Sequence, residues 1–339
     1  MNIDFVIFWV DGNDPVWRKK KAQYKGTDIQ NSDTRFRDWD LLKYWFRAVE
    51  QYAPWVHHIY FVSDSQIPQW MNLNQPKLTF VDHKDFIPEK YLPTFNSHTI
   101  EHHLHLIKGL SEHFVAFNDD TFINAPISPE YYFREGLPCD APFEHVFSGK
   151  CYNPKIDGWG INIVEFCNTH VLNAHFNRKE VVRNNRKAWL GHYLGFKYQL
   201  QAWLISLFRR SEFQHFYTHH NEKACLRSIY EEVWAAEPEM LIRSCTRFRE
   251  DVSVNSYLYR IWQLASNRFY PINLLDKKKV IQLTPKVMHI IEKLLFDSNI
   301  KSLCLNDTSN LDYNDYKSMK PWLVSVFEKK FPTKSAFEK

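Results

Sequence analysis

Apolar and polar positions alternate along the first 120 residues with two different periods. "IDFVIFWV", from Ile3 to Val10, is an apolar run of strand length, and it stops at the turn cluster Asp11-Gly12-Asn13-Asp14-Pro15. In "RDWDLLKYWFRAVEQYAPW" the period changes. Leu41, Leu42, Trp45, Phe46 and Val49 share one helical face, and Pro54 closes the segment. "HHIYFVSD" and "KLTFVDH" are short β-rich runs that each end near an aspartate. "NSHTIEHHLHLIKGL" predicts a helix with Ser97 at the N-cap and Ile100, Leu104 and Ile107 at core spacing. "HFVAFNDD" then predicts another strand. Strands alternating with helices predict an α/β fold on a mostly parallel sheet.

Beyond residue 140 the pattern is less regular. "KCYNPKIDGWGINIVEF" has turn chemistry, whereas "NTHVLNAHFNRKEVVRNNRKAWLG" and "YQLQAWLISLFRR" read as helices with basic edges. Arg178, Lys179, Arg183, Arg186 and Lys187 would make either an anion-binding face or a solvated one. Further helices follow from about 216 to 270, interrupted by "CTRFREDV". A second apolar strand ends in Asn306-Asp307, and the aromatic helix "MKPWLVSVFEKKF" closes the chain. Without repeats or Gly/Ser linkers, the expectation is one interwoven domain over 1–339. It divides into an α/β part (1–139), a variable helical insertion (140–210) and a helical segment with a closing strand and helix (211–339).

Composition narrows the function. The chain has 339 residues, 44% of them hydrophobic and 16% aromatic, which suffices for a substantial core. A net charge of +4 suits an anionic ligand or loose attraction to an anionic membrane, but is no nucleic-acid signature. Neither a targeting segment nor an apolar stretch near the roughly 20 residues of a membrane span is visible. Any membrane attachment is therefore expected to be peripheral, salt-sensitive and carried by basic patches such as 178–187. The six cysteines are widely spaced without a CxxC pair, and so read as reduced thiols of a cytoplasmic protein.

In an open α/β sheet, ligands bind beyond the carboxyl ends of the strands. Asp11, Asp64 and the pair Asp119-Asp120 all fall there. Asp64 reads as a turn residue. Asp119-Asp120 is different, because Thr121-Phe122-Ile123 resumes the apolar pattern at once. Two adjacent carboxylates in that place suit a divalent cation and, through it, a phosphate-bearing substrate.

Four blocks carry a resemblance. They are "IDFVIFWVDGNDPVW", the long run from "RFRDWDLLKYW" to "HFVAFNDD", the run from "FYTHHNEKACLRSIYEEVW" to "TRFREDV", and "SLCLNDTSNLD" with "VFEKKFPTKSAFE". In content and order they resemble the four conserved regions of the Stealth family. That family comprises bacterial capsular polysaccharide phosphotransferases and includes the catalytic part of the lysosomal-enzyme N-acetylglucosamine-1-phosphotransferase.

The resemblance implies a GT-A-like fold: a mostly parallel sheet with flanking helices and a largely helical middle and C-terminal part. It also implies transfer of a hexose 1-phosphate, such as an N-acetylhexosamine 1-phosphate, from a UDP-sugar to a hydroxyl of a growing capsular glycan. A phosphodiester forms and UMP leaves. Asp119 and Asp120 match the family's acidic pair and would hold Mg²⁺ or Mn²⁺, with Asp307 of "LNDT" completing a metal or donor shell. Asp11 and Gly12 match the first block, and Asn118 precedes the acidic pair; all three are expected at the substrate. In "YTHHN", His220 aligns with the family histidine and would take the acceptor's proton, with His219 as the one-residue alternative. Arg249 of "RFRED" would fork phosphate oxygens, with Arg247 beside it. Arg37 would contact the nucleotide, brace the site through Asp38, or form a salt bridge at a helix start. Asn96, Ser97, His98 and Glu101 of "NSHTIE" would line the pocket; the dense histidines there are not expected to bind zinc. A metal-dependent glycosyltransferase releasing UDP and a non-catalytic sugar-nucleotide-binding capsule protein are the competing readings. A capsule-export complex is a further possible partner.

Overall fold

The computed structural model describes residues 1–24, 36–145, 159–208, 211–250, 253–307 and 311–339, with backbone alone at 159–162. The turn expected after residue 150 falls mostly outside these residues. The first third runs β1 (Ile3–Phe8), α1 (Pro15–Tyr24), α2 (Leu42–Tyr52), β2 (His58–Ser63), β3 (Leu78–Asp82), α3 (Ser97–His102), β4 (His113–Phe117), β5 (Thr121–Ile123), β6 (Phe133–Arg134), β7 (Leu137–Asp140) and β8 (Glu144–His145). Helices α4 (Trp159–His175), α5 (Arg178–Asn184), α6 (Arg186–Leu190) and α7 (Phe196–Leu207) fill the middle. Then follow β9 (His215–Phe216), β10 (Lys223–Leu226), α8 (Arg227–Ala236), α9 (Pro238–Ser244) and α10 (Tyr257–Ala265). The chain ends with β11 (Tyr270–Pro271), β12 (Lys278–Gln282), α11 (Met288–Leu295), β13 (Ser302–Asn306) and α12 (Tyr313–Lys330).

The main sheet has the order β10-β4-β1-β2-β3. Strands β1 to β4 are parallel, as the alternating pattern predicts, and β10 pairs antiparallel at the edge. Parallel strands buried on both faces need near-continuous apolar sequence, which "IDFVIF" and "HFVAF" supply. Phe5 meets Trp45, Trp55, Phe117 and Tyr132 ring to ring, with centroids 4.9–6.4 Å apart. Asp4 interrupts the first run and is fully buried. Its carboxylate accepts from Ser111 N at 2.7 Å and faces His57 Nδ1 at 2.7 Å, so the polar group is satisfied where it lies.

Helix α3 is shorter than its apolar spacing predicts, and its N-cap is Asn96, not Ser97. Asn96 Oδ1 accepts from His98 N at 3.0 Å. At the other end His103 Nδ1 bonds the Thr99 carbonyl at 2.7 Å, and the chain tightens to a bond from His103 N to Ile100 O. A side chain that takes an i−4 carbonyl competes with the helix ladder, and the element gives way to a 3₁₀ turn at Leu104–Leu106.

The three stretches of chain interleave. Strand β10 comes from beyond residue 211 yet pairs with β4, and β13 pairs with β5 in a second sheet, β12-β13-β5. Arg47 on α2 holds the C-terminal tail through Glu338, at 2.8 and 2.9 Å, and the Phe331 carbonyl, at 2.6 Å.

Arg178 does not belong to an open basic face. It is buried against Glu144, with Nη2 2.7 Å from the carboxylate and both side chains 1% exposed. Removing one partner of such a pair leaves a buried, uncompensated charge, at a cost of about 3–5 kcal/mol. Arg178→Met should therefore lower unfolding stability by that order in urea titrations. A loss within experimental error would mean that Glu144 finds water or another cation.

Candidate active site

The pair Asp119-Asp120 sits where the chain leaves one sheet for another. Strand β4 ends at Phe117, Thr121 N bonds the Asn118 carbonyl at 3.1 Å to close a turn, and β5 begins. Leu305 N on β13 donates to the Asp120 carbonyl at 2.8 Å, which clamps the turn from the second sheet. Three side chains from three elements converge there. Asp120 Oδ2 lies 3.4 Å from His220 Nε2, and the donor atoms of Asp120, His220 and Cys304 all fall within 4.8 Å of one another. Cys304 is buried on β13 opposite Thr121, and burial together with the nearby Asp120 charge holds its thiol well above the ordinary range.

Carboxyls crowd this turn. Burial, reinforced by Asp120 and Asp38, holds Asp119 well above the usual carboxylate range. Asp38 is pushed up to about 6, chiefly by burial. Its backbone carbonyl is anchored by the Tyr316 hydroxyl and Lys320 Nζ, each at 2.7 Å. A carboxyl raised by burial and by neighbouring carboxylates is one that a divalent cation relieves, so the residues present at Asp119 and Asp120 are of the type that fits Mg²⁺ or Mn²⁺.

The "YTHHN" segment is held from two helices. Glu165 on α4 accepts from Thr218 Oγ1 at 2.5 Å and pairs with His215 at 2.6 Å. On α10, Arg260 Nη1 donates to Tyr217 O at 3.0 Å and the Tyr257 hydroxyl donates to His219 O. An extended segment turns successive side chains to opposite sides, and the two histidines part accordingly. His220 is exposed beside Asp120. His219 faces a cavity lined by Tyr131, Asp140, Tyr257, Arg260 and Lys278, where burial, then Arg260, pushes its pKa down to about 3.

A second cluster forms around "NSHTIE" and "RFRED". The Phe95 N to Arg247 O bond, 2.8 Å, and bonds from Thr94 and Thr99 to the Thr246 carbonyl dock the two segments. Arg249 Nη2 donates to Ser97 Oγ at 2.5 Å and stands exposed. His98 is pushed down to about 3 by burial and then by Arg249, and its Nδ1 has no hydrogen-bond partner among the described residues. Glu101 pairs with Lys223 at 3.5 Å; burial pushes its carboxyl up, but Lys223 and the Ser256 hydroxyl outweigh that and hold it low. Asn96 is buried as the cap of α3 and bonds Thr246 Oγ1 at 3.2 Å. Arg247 stacks 4.2 Å from the Tyr24 ring and donates to Pro93 O. His102 and His103 are buried, with His102 bonded to Tyr259 and Val254 and His103 to Thr99.

Loops beyond β1 and β13 frame the site. Asp11 Oδ1 accepts from Asn13 N at 2.8 Å, as a turn aspartate does, and Gln66 brackets the Asp11 backbone. A Cβ on Gly12 would stand 2.0 Å from the Phe36 carbonyl, so the close approach of these two loops requires glycine. Arg37 and Asp307 face each other. Their charged atoms lie 3.5 Å apart, Arg37 donates to Leu311 O, and Trp39 Nε1 donates to Asp307 Oδ2. Arg37 thus braces through Asp307 and not Asp38, and Asp307 stands outside the Asp120–His220–Cys304 group. Asp64 is an ion-pair partner of Lys20 at 2.7 Å.

Sequence reasoning named Asp38 only as a brace for Arg37, and it missed Cys304 and Lys223. For Cys304 a signal existed: in "SLCLN" it shares strand parity with Ser302 and Asn306. Lys223 had none, since only pairing of β10 with β4 buries it beside Glu101, and only docking of α12 anchors Asp38.

A carboxyl held high in the folded state binds its proton more tightly there than in the unfolded chain. It therefore costs stability as pH rises past the ordinary value of 3.8. In EDTA at pH 7, Asp119→Asn should melt at a higher temperature than wild type, and Mg²⁺ should raise the melting temperature of wild type more than that of the variant. A variant that melts lower in EDTA, or gains as much from Mg²⁺, would show that Asp119 is neither strained nor a ligand.

Residues 1–28 match conserved region 1 of the Stealth proteins, and residues 35–139 match conserved region 2. Over 343 residues the chain is 38% identical to the capsular polysaccharide phosphotransferase WcwK of Streptococcus pneumoniae, covering 100% of this chain and 99% of that one. It is 37% identical to the exopolysaccharide phosphotransferase cps2G of Lactiplantibacillus plantarum, over 100% and 96% of the two chains. The receptor polysaccharide phosphotransferase WefC of Streptococcus gordonii is 34% identical, over 99% and 98%. With relatives of that likeness along its whole length, the chain belongs to the Stealth family of polysaccharide phosphotransferases.

Proposed function

We propose that the protein transfers a hexose 1-phosphate from a UDP-sugar to a hydroxyl of a capsular or exopolysaccharide acceptor and releases UMP. The observation that carries this reading is His220 Nε2 at 3.4 Å from Asp120 Oδ2, beside the crowded carboxyls at the end of β4. The acceptor oxygen bonds to the phosphorus that bears the sugar. The bond from that phosphorus to the oxygen bridging to UMP breaks, and the acceptor's proton goes to His220 Nδ1, the ring nitrogen that does not face Asp120. Asp120 orients the imidazole and stabilises its charged form, the part a carboxylate plays beside any catalytic histidine. Arg249, exposed and steadied by Ser97, offers a guanidinium to phosphate oxygens. A Mg²⁺ or Mn²⁺ ion on Asp119 and Asp120 would supply charge neutralisation for the diphosphate. The described cysteines are free thiols, which supports assignment to the bacterial cytoplasm, where UDP-sugars are available; an export complex would then receive the product.

Two measurements test the reading. Incubated with UDP-sugars, Mg²⁺ and a short capsule oligomer, the protein should yield UMP; UDP as the product would make it a glycosyltransferase, and no nucleotide product from any matched pair would remove the assignment. His220→Ala should lower kcat by roughly 100- to 10,000-fold with donor binding little changed. His219→Ala should keep most of its turnover, since His219 faces the neighbouring cavity; the reverse pattern would move the base to His219.

A further inference from the structure

Helix α7 carries apolar side chains on its outward face as well as on its packed one. Phe196, Leu200, Trp203, Leu204 and Leu207 recur at i, i+4, i+7, i+8 and i+11, which is one face, and Phe208 follows directly. These six side chains are between 44% and 84% exposed. The opposite face is the packed one: Ala202 and Ile205 are buried, and the Tyr198 ring packs 4.5 Å from Phe143. The apolar stripe is thus held outward by a helix that is properly seated, and a contiguous exposed patch of this kind marks an interaction surface.

What covers it is indicated by charge. Residues 178–210 contain eight Lys/Arg and one Asp/Glu, a local charge of +7 in a chain whose net charge is +4. Lys179, Arg183, Arg186, Lys187 and Lys197 are exposed, and the Arg186 guanidinium lies 5.0 Å from the Trp203 ring, so cations adjoin the stripe directly. A second copy of the chain docked about a two-fold axis would set these cations against their own copies. An anionic bilayer satisfies both features: aromatic and aliphatic side chains enter the headgroup boundary while a basic rim meets lipid phosphates. No helix among the described residues is long and apolar enough to cross a membrane. We infer that the face formed by α7, with the basic edges of α5 and α6, seats the protein on the surface of a membrane containing anionic lipid. The apolar stripe, and not a basic patch that includes the buried Arg178, is then the main anchor.

Vesicle flotation of the purified full chain tests this without turnover, and so independently of the reaction assigned above. With equimolar phosphatidylglycerol and phosphatidylcholine the protein should float, and with phosphatidylcholine alone it should float far less. Leu207→Ser/Phe208→Ser should cut the bound fraction by about tenfold or more, and Arg183→Ser/Lys187→Ser by about fivefold per cation removed at low salt. Circular dichroism should be unchanged in both variants. Wild-type protein that stays with the unfloated fraction, or a Leu207→Ser/Phe208→Ser variant that floats as well as wild type, would overturn the proposal. So would light scattering that shows a dimer broken by the same double substitution.

Discussion

Strand β4 bears the weight of this architecture because it pairs on both sides and then leaves the sheet. Its backbone is satisfied by parallel β1 on one edge and antiparallel β10 on the other. Buried between layers, it has no room for a polar side chain from Phe114 to Phe117. The turn at 118–121 is where polar residues first become tolerable, and β5 must start at once to meet β13. Two carboxylates are therefore pinned between two sheets, with a backbone bond from Leu305 fixing their position. His220 and Cys304 meet Asp120 at that fixed point. His220 arrives because β10 begins three residues later, and Cys304 because β13 runs alongside β5.

Charge in the interior is handled in two contrasting ways. Arg178 with Glu144, Arg260 with Asp140, Lys223 with Glu101 and Lys278 with Glu222 are opposite pairs at 2.7–3.5 Å, each joining separate segments. Such pairs add little net stability but are costly to break, and so they specify which segments meet. At Asp38, Asp119 and Asp120 like charges are left together. A fold that pairs buried charges elsewhere leaves carboxyls crowded at this turn, and such an exception marks a functional-site candidate and not structural polarity alone.

The same contrast holds for apolar surface. Helices α2 and α10 bury their apolar residues, and α7 presents a stripe of them outward beneath a basic rim. This apolar and basic face lies on helices outside the first two conserved regions, on elements other than those that form the acidic turn.

Much of the parallel sheet was legible from periodicity alone. Runs such as "IDFVIF", "HIYFVS" and "HFVAF" have no polar face to offer water, and α2 shows its buried stripe at helical spacing. Strand ends followed, and with them Asp119 and Asp120, since a carboxylate pair interrupting buried strands is conspicuous in one dimension. The apolar spacing around "NSHTIE" misled, because whether His103 bonds a helix carbonyl is a matter of side-chain geometry and not of pattern. Short, pairing-dependent elements were also invisible: β10 is four residues with a lysine, and its strand state exists only because β4 offers an edge. Sequence determined which residue types stand at the ends of strands. Tertiary structure decided which of two adjacent histidines faces Asp120, that Arg37 and Asp307 serve each other, that Arg178 is interior, and that the apolar face of α7 points outward. Those are questions of direction and distance between segments far apart in the chain, and local pattern carries no information about either.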